Sequence, residues 1–194
     1  MIARTSLILA TIALLSGCAS QGGMQVPSGV RDIAVQRMRF AAEAVCLNNT
    51  GPRAQDRAAR ALDFPVRTRD GDATVYVNPG TLTFLRLGPA PEQAVTTPAG
   101  QRIVYDGSGC SVGSPVVDIR TANRVVGEIL APRLVDGSTT LASPVGAGTN
   151  RAGGVGLFFA DLSVTLPEAE TTITDPETGE ARSFVHPVIL IIHK

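Results

Sequence analysis

The chain has few aromatic residues, almost no lysine and no tryptophan. Sixteen of its 17 basic residues are arginine, and only six Phe and two Tyr occur among 194 residues. The 17 basic residues balance 17 acidic ones, which argues against nucleic acid as a partner because nucleic-acid-binding domains carry a positive excess. We attribute the arginine bias to a GC-rich genome rather than to a function specific for guanidinium groups.

The chain also lacks a hydrophobic run long enough to span a bilayer. The apolar stretch from Leu7 to Leu15 has roughly nine residues, about half of the ~20 that a transmembrane helix needs. It follows Arg4, and a short apolar segment behind a positive charge is typical of a cleavable export signal. We therefore interpret residues 1–17 as a signal peptide.

The end of this segment carries a specific motif. Leu15-Ser16-Gly17-Cys18 resembles the lipobox of bacterial lipoproteins, in which a leucine and two small residues precede an obligatory cysteine. The resemblance implies that Cys18 carries a diacylglyceryl thioether and becomes the first residue of a membrane-anchored mature protein. The alternative is an ordinary secretory signal with an incidental cysteine.

The residues after Cys18 bear on location and domain organisation. Ala19 and Ser20 follow the cysteine without an adjacent Asp, which resembles the pattern of lipoproteins sorted to the outer membrane. We expect a domain that faces the periplasm of the bacterial cell envelope. Residues 18–29, small and polar, are interpreted as the lipidated N-terminus and a flexible tether. Residues 30–194 are expected to form one domain.

Only two cysteines remain if Cys18 is lipidated. Because the expected compartment is oxidising, an even pair predicts a disulfide between Cys46 and Cys110. Two buried free thiols or a redox pair are the alternatives. The chain has no Cys-x-x-Cys spacing, which argues against a thioredoxin-like role.

The hydrophobic pattern predicts helices packed on a mainly antiparallel sheet. Helices are predicted over Val30–Leu47, with Ser28 as N-cap, over Arg53–Leu62, and from Ser114-Pro115 onward. The segments "VRTR" and "ATVYVN" around "DGD" predict a hairpin, and "VGLFFADLSVTLP", "ETTIT" and "RSFVHPVILII" predict three later strands. The order of helices, strands, helix and strands indicates an α+β fold.

One motif raises the question of catalysis. "GCSVG" at residues 109–113 matches the Gly-x-Ser-x-Gly nucleophile elbow of α/β-hydrolases, with Ser111 as the nucleophile. Asp136 or Asp161, followed by His186, keeps the required order of the triad. The chain lacks the alternating βαβ pattern of that fold, and Cys110 is the expected disulfide partner. A disulfide-bearing turn is therefore favoured over a hydrolase.

The other chemistry-bearing residues do not form a recognisable site. His186 and His193 are seven residues apart on one predicted strand, so they should point to opposite faces. The Gly-rich stretch at residues 146–154 lacks the Gly-Lys-Ser/Thr of a phosphate-binding loop. No metal site and no cofactor are expected.

These observations favour a non-enzymatic binding or scaffolding role among envelope proteins, with a periplasmic serine hydrolase using Ser111 as the alternative. A third hypothesis is capture of a small apolar ligand, which would need a cavity beneath the sheet. The apolar stretches "GLFFADL" and "VILII" are expected to be buried strands. If either lay at a sheet edge, it could pair with another protein by strand addition.

Overall fold

A computed structural model of the chain describes residues 26–137, 147–149, 153–174 and 178–194. The predicted signal peptide, Cys18 and most of the predicted tether lie outside the described residues. So do residues 146 and 150–152 of the Gly-rich stretch at residues 146–154. The described residues belong to the predicted domain and to the end of the predicted tether.

Three α-helices lie in the described part of the chain. They are α1 (Ser28–Ala41), which continues as a π-helical turn (Ala42–Leu47), α2 (Pro52–Ala61) and α3 (Ile119–Val135). The first two lie within two residues of their predicted bounds, although α1 already includes Ser28, and Pro27 occupies the N-cap position. No helix among the described residues has the length and apolar character needed to cross a membrane.

The prediction that Ser114-Pro115 opens the third helix is wrong. Helix α3 begins at Ile119 because Asp118 caps it, its side chain accepting a hydrogen bond from the backbone N–H of Thr121 at 2.7 Å. Ser114 instead begins a turn in which its carbonyl accepts from the N–H of Val117. The turn lets the chain leave the sheet before the helix starts.

Eleven strands are present among the described residues, and every pairing between them is antiparallel. The strands are β1 (Val66–Asp70), β2 (Ala73–Asn78), β3 (Thr83–Pro89), β4 (Gln93–Thr96), β5 (Arg102–Tyr105), β6 (Ser108–Gly113), β7 (Ala147–Thr149), β8 (Val155–Phe158), β9 (Leu162–Thr165), β10 (Glu168–Thr174) and β11 (Ala181–His193). The main sheet has the order β1-β2-β3-β6-β11-β9-β8-β7, and β10 pairs with β11. Strands β4 and β5 form a separate hairpin. The domain is α+β, as predicted.

The stretch "VGLFFADLSVTLP" was predicted as one strand but forms two. The chain reverses after β8, where the N–H of Phe159 donates to the carbonyl of Leu162 at 2.8 Å, and returns as β9. Both halves are apolar because both lie inside the sheet. Hydropathy alone therefore gave no sign of the turn.

Strands β9 and β10 form one long hairpin with β11. The register is unbroken from Leu162 opposite His193 to Thr174 opposite Ala181, and the N–H of Val188 donates to the carbonyl of Pro167 at 2.9 Å between the two segments. Strand β6 pairs with β11 only up to Val188. The half of the hairpin beyond that point, β10 together with residues 181–187, extends past β6 and is called the distal arm.

The two faces of the sheet are covered differently. The helices and the π-helical turn pack on one face of the sheet, which we call the helix side. The core on this side includes Leu85, Val112, Val164, Ile189 and Ile191. On the opposite, outer face, the β4–β5 hairpin covers part of the sheet, and its buried residues Ile103 and Tyr105 pack against Leu190 and Ile192. The hydroxyl of Tyr105 donates to the carbonyl of Phe159, which holds the hairpin to the β8–β9 turn.

A disulfide joins the first helical segment to the sheet. Cys46 in the π-turn and Cys110 in β6 are bonded, with their Cα atoms 5.4 Å apart, as predicted. Both residues are fully buried. The carbonyl groups at this helix end are also satisfied, because Nε2 of His193 lies 2.7 Å from the carbonyl of Cys46 and Asn49 donates to the carbonyls of Ala44 and Val45.

We expect removal of the disulfide to be strongly destabilising. It closes a loop with a sequence separation of 64 residues, and in the chain-entropy model such a loop contributes about 4 kcal/mol to the free energy of unfolding. Urea unfolding of the Cys46→Ala/Cys110→Ala variant should show a loss of this order. Reductant should destabilise the wild type but not the variant; equal stability of both proteins would contradict the prediction.

Candidate functional site

The structure does not bring the residues of the hydrolase hypothesis together. Ser111 lies in the middle of β6, opposite Arg86 on one side and Leu190 on the other, and not in a turn between a strand and a helix. His186 is four residues from Leu190 along β11, a distance of about 13 Å at 3.3 Å per residue.

The two candidate acids lie elsewhere. Asp136 follows the last residue of α3, and Asp161 lies in the turn between β8 and β9. The pattern Gly-x-Ser-x-Gly has another cause here. A side chain at Gly109 would collide with Ala90, and one at Gly113 would collide with Phe84 and Val188. Glycine at these two positions lets neighbouring segments pack directly on the outer face of β6.

The two histidines point to opposite faces of the sheet, as their spacing predicted. His193 faces the helix side, where it contacts the carbonyl of Cys46. His186 is buried on the outer face, 5.0 Å from the ring of Phe84, and its Nε2 lies 2.9 Å from the hydroxyl oxygen of Thr171. Burial lowers the pKa of His186, although a hydrogen bond with the Pro187 carbonyl opposes the shift. Within the described ranges, no three His, Cys, Asp or Glu residues are grouped to hold a metal ion.

A cleft lined by arginines lies between α2 and the β1 edge of the sheet. Its volume is about 420 Å³, and we call it the arginine cleft. Arg53 comes from the first turn of α2, and Arg67 and Arg69 come from β1. Asp56 and Asp72 supply two carboxylates. Three guanidinium groups therefore face two carboxylates, which leaves the cleft with a positive excess.

The negative charge of one of these carboxylates is already balanced by neighbouring side chains. Asp56 accepts hydrogen bonds from the hydroxyl of Tyr76 and from Arg67 at 3.3 Å, and it forms an ion pair with Arg60 at 2.8 Å. The hydrogen bond from Tyr76 is the largest of the causes that lower the pKa of Asp56, and Arg60 and Arg67 add to it. Arg67 also donates to the Tyr76 hydroxyl at 3.1 Å. These contacts keep the carboxylate of Asp56 ionised and hold its side chain in place on one wall of the cleft.

The other two arginines of the cleft have no such partner. Among the residues that the structure describes, none pairs with the side chain of Arg53 or of Arg69. A cleft of about 300 Å³ between α1 and α3 offers a comparison. There, Arg39 and Arg124 both form ion pairs with Glu128, at 3.3 and 2.8 Å. The arginine cleft thus differs in presenting uncompensated guanidinium groups, which bind carboxylates and phosphates well.

The arginine cleft borders an edge of the sheet that no other strand of the described residues covers. Strand β1 is the terminal strand of the main sheet, and all five of its residues are exposed, including Val66 at 44%. The apolar stretches considered for strand addition are not at an edge. "VILII" lies in β11 between β6 and β9, and "GLFFADL" supplies β8, which pairs with both β7 and β9. Both are interior strands, but only "VILII" is buried as expected, since β8 is half-buried along its length.

The distal arm carries a second free edge. Strand β10 pairs only with β11 among the described residues, and its side chains alternate between exposed and half-buried. Glu168 and Glu170 are exposed on this edge and form no described ion pair. Among the described residues, β1 and β10 thus both have an unpaired edge, and their net charges have opposite sign, since β1 carries Arg67, Arg69 and Asp70 and β10 carries two glutamates.

Comparison with known proteins identifies no relative: no family model, no curated protein and no solved structure matches the chain.

Sequence reasoning did not identify the arginine cleft. Arg53 lies on a helix, Arg67 and Arg69 lie on a strand, and only the folded structure brings them together. The arginine bias of the sequence is attributed to a GC-rich genome, so it did not indicate a site. The alternation of "VRTRD" was the one available signal, since it places two arginines on the same face of a strand.

The burial of His186 predicts a pH dependence of stability. Because its pKa is lower in the folded state than its unfolded value of about 6.5, the unfolded chain takes up the proton first as pH falls. Its contribution to the free energy of unfolding is therefore complete above about pH 6.5 and is lost as the pH falls through the folded pKa.

Urea unfolding at pH 7, 6 and 5 should show this loss in the wild type and a smaller slope in His186→Gln. Thr171→Val serves as the control, since it removes the hydrogen bond but retains the imidazole, and its slope should persist. Identical slopes for the wild type and His186→Gln would refute the assignment.

Proposed function

We propose that the protein is a lipoprotein of the bacterial envelope, anchored through Cys18 in the outer membrane and facing the periplasm, with a non-enzymatic binding or scaffolding role. The resemblance of Leu15-Ser16-Gly17-Cys18 to a lipobox supports the anchor. The Cys46–Cys110 disulfide is consistent with an oxidising compartment.

The binding role is supported above all by the arginine cleft beside the open edge of β1. The side chains of Arg53 and Arg69 are available for an anionic group, and the backbone of β1 is available for pairing. A partner segment that adds a strand to β1 and carries acidic side chains would use both features. Backbone hydrogen bonds would supply affinity, and the arginines would supply specificity.

The other two hypotheses gain no support from the geometry. Ser111, Asp136, Asp161 and His186 lie on separate elements of the fold, so nothing favours a serine hydrolase as a second candidate. The charged lining of the arginine cleft does not suit a small apolar ligand.

The anchor predicts a defined chemical form of the mature protein. Intact mass of the membrane-extracted protein should show loss of residues 1–17, added acyl mass, and two hydrogens missing from Cys46 and Cys110. Cys18→Ser should move the protein from the membrane to the soluble fraction, because several acyl chains are needed for stable attachment. A Cys18→Ser protein that remains in the membrane fraction would overturn the anchor.

The binding role predicts a specific contact at β1. A photo-crosslinking residue at Thr68, whose side chain points away from the cleft, should give an adduct in intact cells. Arg53→Gln/Arg69→Gln should reduce the adduct at least fivefold, because the guanidinium groups that hold the acidic partner are lost.

The matched control is Arg57→Gln/Arg120→Gln, which removes two exposed arginines outside the cleft. This variant should crosslink like the wild type. Absence of any adduct, or an adduct that is indifferent to Arg53 and Arg69, would reject β1 as the binding edge.

A further inference from the structure

We propose that the face formed by α1 and α2 docks on the surface of an anionic lipid bilayer, with Ile33 and Phe40 inserted at the boundary between headgroups and acyl chains. The proposal rests on the proposed anchor at Cys18 and adds a second membrane contact, made by the folded domain itself. It is supported by exposed apolar side chains, by the neighbouring flank of α2, by charge and by the length of chain between the anchor and α1.

Helix α1 exposes two large apolar side chains on one flank. Ile33 is 50% exposed and Phe40 is 55% exposed, and Phe40 is the one exposed residue among the six Phe of the chain, all of which the structure describes. Seven residues are close to two helical turns, so the two side chains lie on the same flank, about 10 Å apart along the axis. The core residues Ala34, Met38 and Ala41 occupy the face toward the sheet. Ile33 and Phe40 therefore form an apolar strip that the described part of the domain leaves uncovered.

The flank of α2 next to this strip is apolar as well. Arg37, which lies between the two residues of the strip, donates to the carbonyl of Leu62 at 3.1 Å, so this flank of α1 lies beside the end of α2. Asp56 contacts Arg67 of β1 from the opposite flank of α2. The flank toward α1 carries small and apolar residues, namely Ala54, Ala58, Ala61 and Leu62. We call the strip and this flank of α2 the docking face.

The same helices carry a positive excess. Residues 28–61 contain six arginines and three acidic residues, whereas the whole chain has 17 basic and 17 acidic residues. Of the three acidic residues, Asp56 is balanced by arginines, Asp32 lines the cleft toward α3, and Glu43 belongs to the π-helical turn. Arg57 is exposed on α2 and forms no ion pair with a described residue. Arginines beside exposed apolar side chains are typical of helices that lie in the headgroup region of anionic bilayers.

The predicted anchor is close to the docking face along the chain. Cys18 precedes Val26, the first described residue, by eight positions, and a fully extended chain of this length spans at most about 30 Å. The strip begins at Ile33, in the second turn of α1. Acyl chains on Cys18 would therefore hold α1 near the bilayer and raise its effective concentration there, so a contact that is weak by itself is sufficient.

The docking face does not compete with the arginine cleft. The cleft lies on the opposite flank of α2, between that helix and β1. The other large apolar side chains that are exposed lie away from the docking face, on β1, at the end of α3 and on the distal arm: Val66, Leu134, Val135 and Val185. A domain that rests on α1 and α2 therefore keeps the cleft and β1 open to a partner.

Tryptophan fluorescence tests the contact, because the chain has no tryptophan of its own. The membrane-extracted Phe40→Trp protein, with its acyl chains, is reconstituted into vesicles of phosphatidylethanolamine and phosphatidylglycerol with brominated acyl chains. Its emission should be quenched at least twofold relative to the same vesicles without bromine, because the indole lies at the boundary between headgroups and acyl chains. Ile33→Trp should give the same result and keeps the test decisive if one variant folds poorly.

Val66→Trp is the matched control for exposure. Val66 is 44% exposed, but its neighbour Arg67 faces the helix side, so the side chain of Val66 points to the outer face of the sheet. Its emission should be the same in vesicles with and without bromine. No quenching of Phe40→Trp and Ile33→Trp, or equal quenching of Val66→Trp, would overturn the docking face.

Lipid composition tests the contribution of charge. In brominated vesicles of phosphatidylcholine alone, the quenching of Phe40→Trp should fall at least twofold, since the arginines lose the anionic headgroups. Equal quenching in the two kinds of vesicle would overturn the role assigned to the arginines.

Photo-crosslinking in intact cells distinguishes a lipid surface from a protein partner. A photo-crosslinking residue at Phe40 should give an adduct with phospholipid, and an adduct with a protein in its place would overturn the proposal. An acylated protein that shows no quenching of Phe40→Trp would retain the anchor but overturn docking. A membrane extract in which the protein carries no acyl mass would overturn the anchor and, with it, the docking that depends on it.

Discussion

The fold depends on the burial of five consecutive aliphatic residues in β11, Val188 to Ile192. A strand of this kind is stable only if both faces of the sheet around it are covered. The helices cover one face and the β4–β5 hairpin covers part of the other, while β6 and β9 satisfy the backbone on either side. The rest of the domain is arranged around that requirement.

Strand β11 becomes exposed where the elements that cover it end. Beyond Val188, β11 loses its pairing with β6, and Pro187 lacks the N–H that a further neighbour on that side would need. Residues 181–185 are exposed or half-buried, in contrast to the buried residues that follow. One continuous strand therefore serves as the centre of the core in one half and as an exposed ribbon in the other.

Much of the local structure could be predicted from the sequence, because its causes are local. Periodicity placed the first two helices, "DGD" placed the first hairpin, and the count of cysteines paired Cys46 with Cys110. The start of α3 was missed because Asp118 and Ser114 are both plausible caps, and only the path of the chain out of β6 decides between them. The hairpin at Phe159 was missed because the half-buried β8 and the buried β9 read as one apolar run.

The candidate site could not be predicted in the same way. Arg53 is far from Arg67 and Arg69 in sequence, and their proximity follows from the packing of α2 against the sheet. The openness of β1 is a property of strand order, which hydropathy does not encode. What the sequence did contain was charged residues at alternate positions, Arg67 and Arg69 in "VRTRD" and Glu168 and Glu170 later, and their meaning depends on which strands lie at edges.

The position of β11 has a consequence for how the protein is made. Strand β11, in the centre of the sheet, follows the other described strands along the chain, so during synthesis the hydrogen-bonding groups of β6 and β9 lack this partner until β11 emerges. Closing the sheet then requires contacts between residues far apart in sequence, which slows folding. The nascent polypeptide therefore stays unfolded for longer, a state that is vulnerable to aggregation.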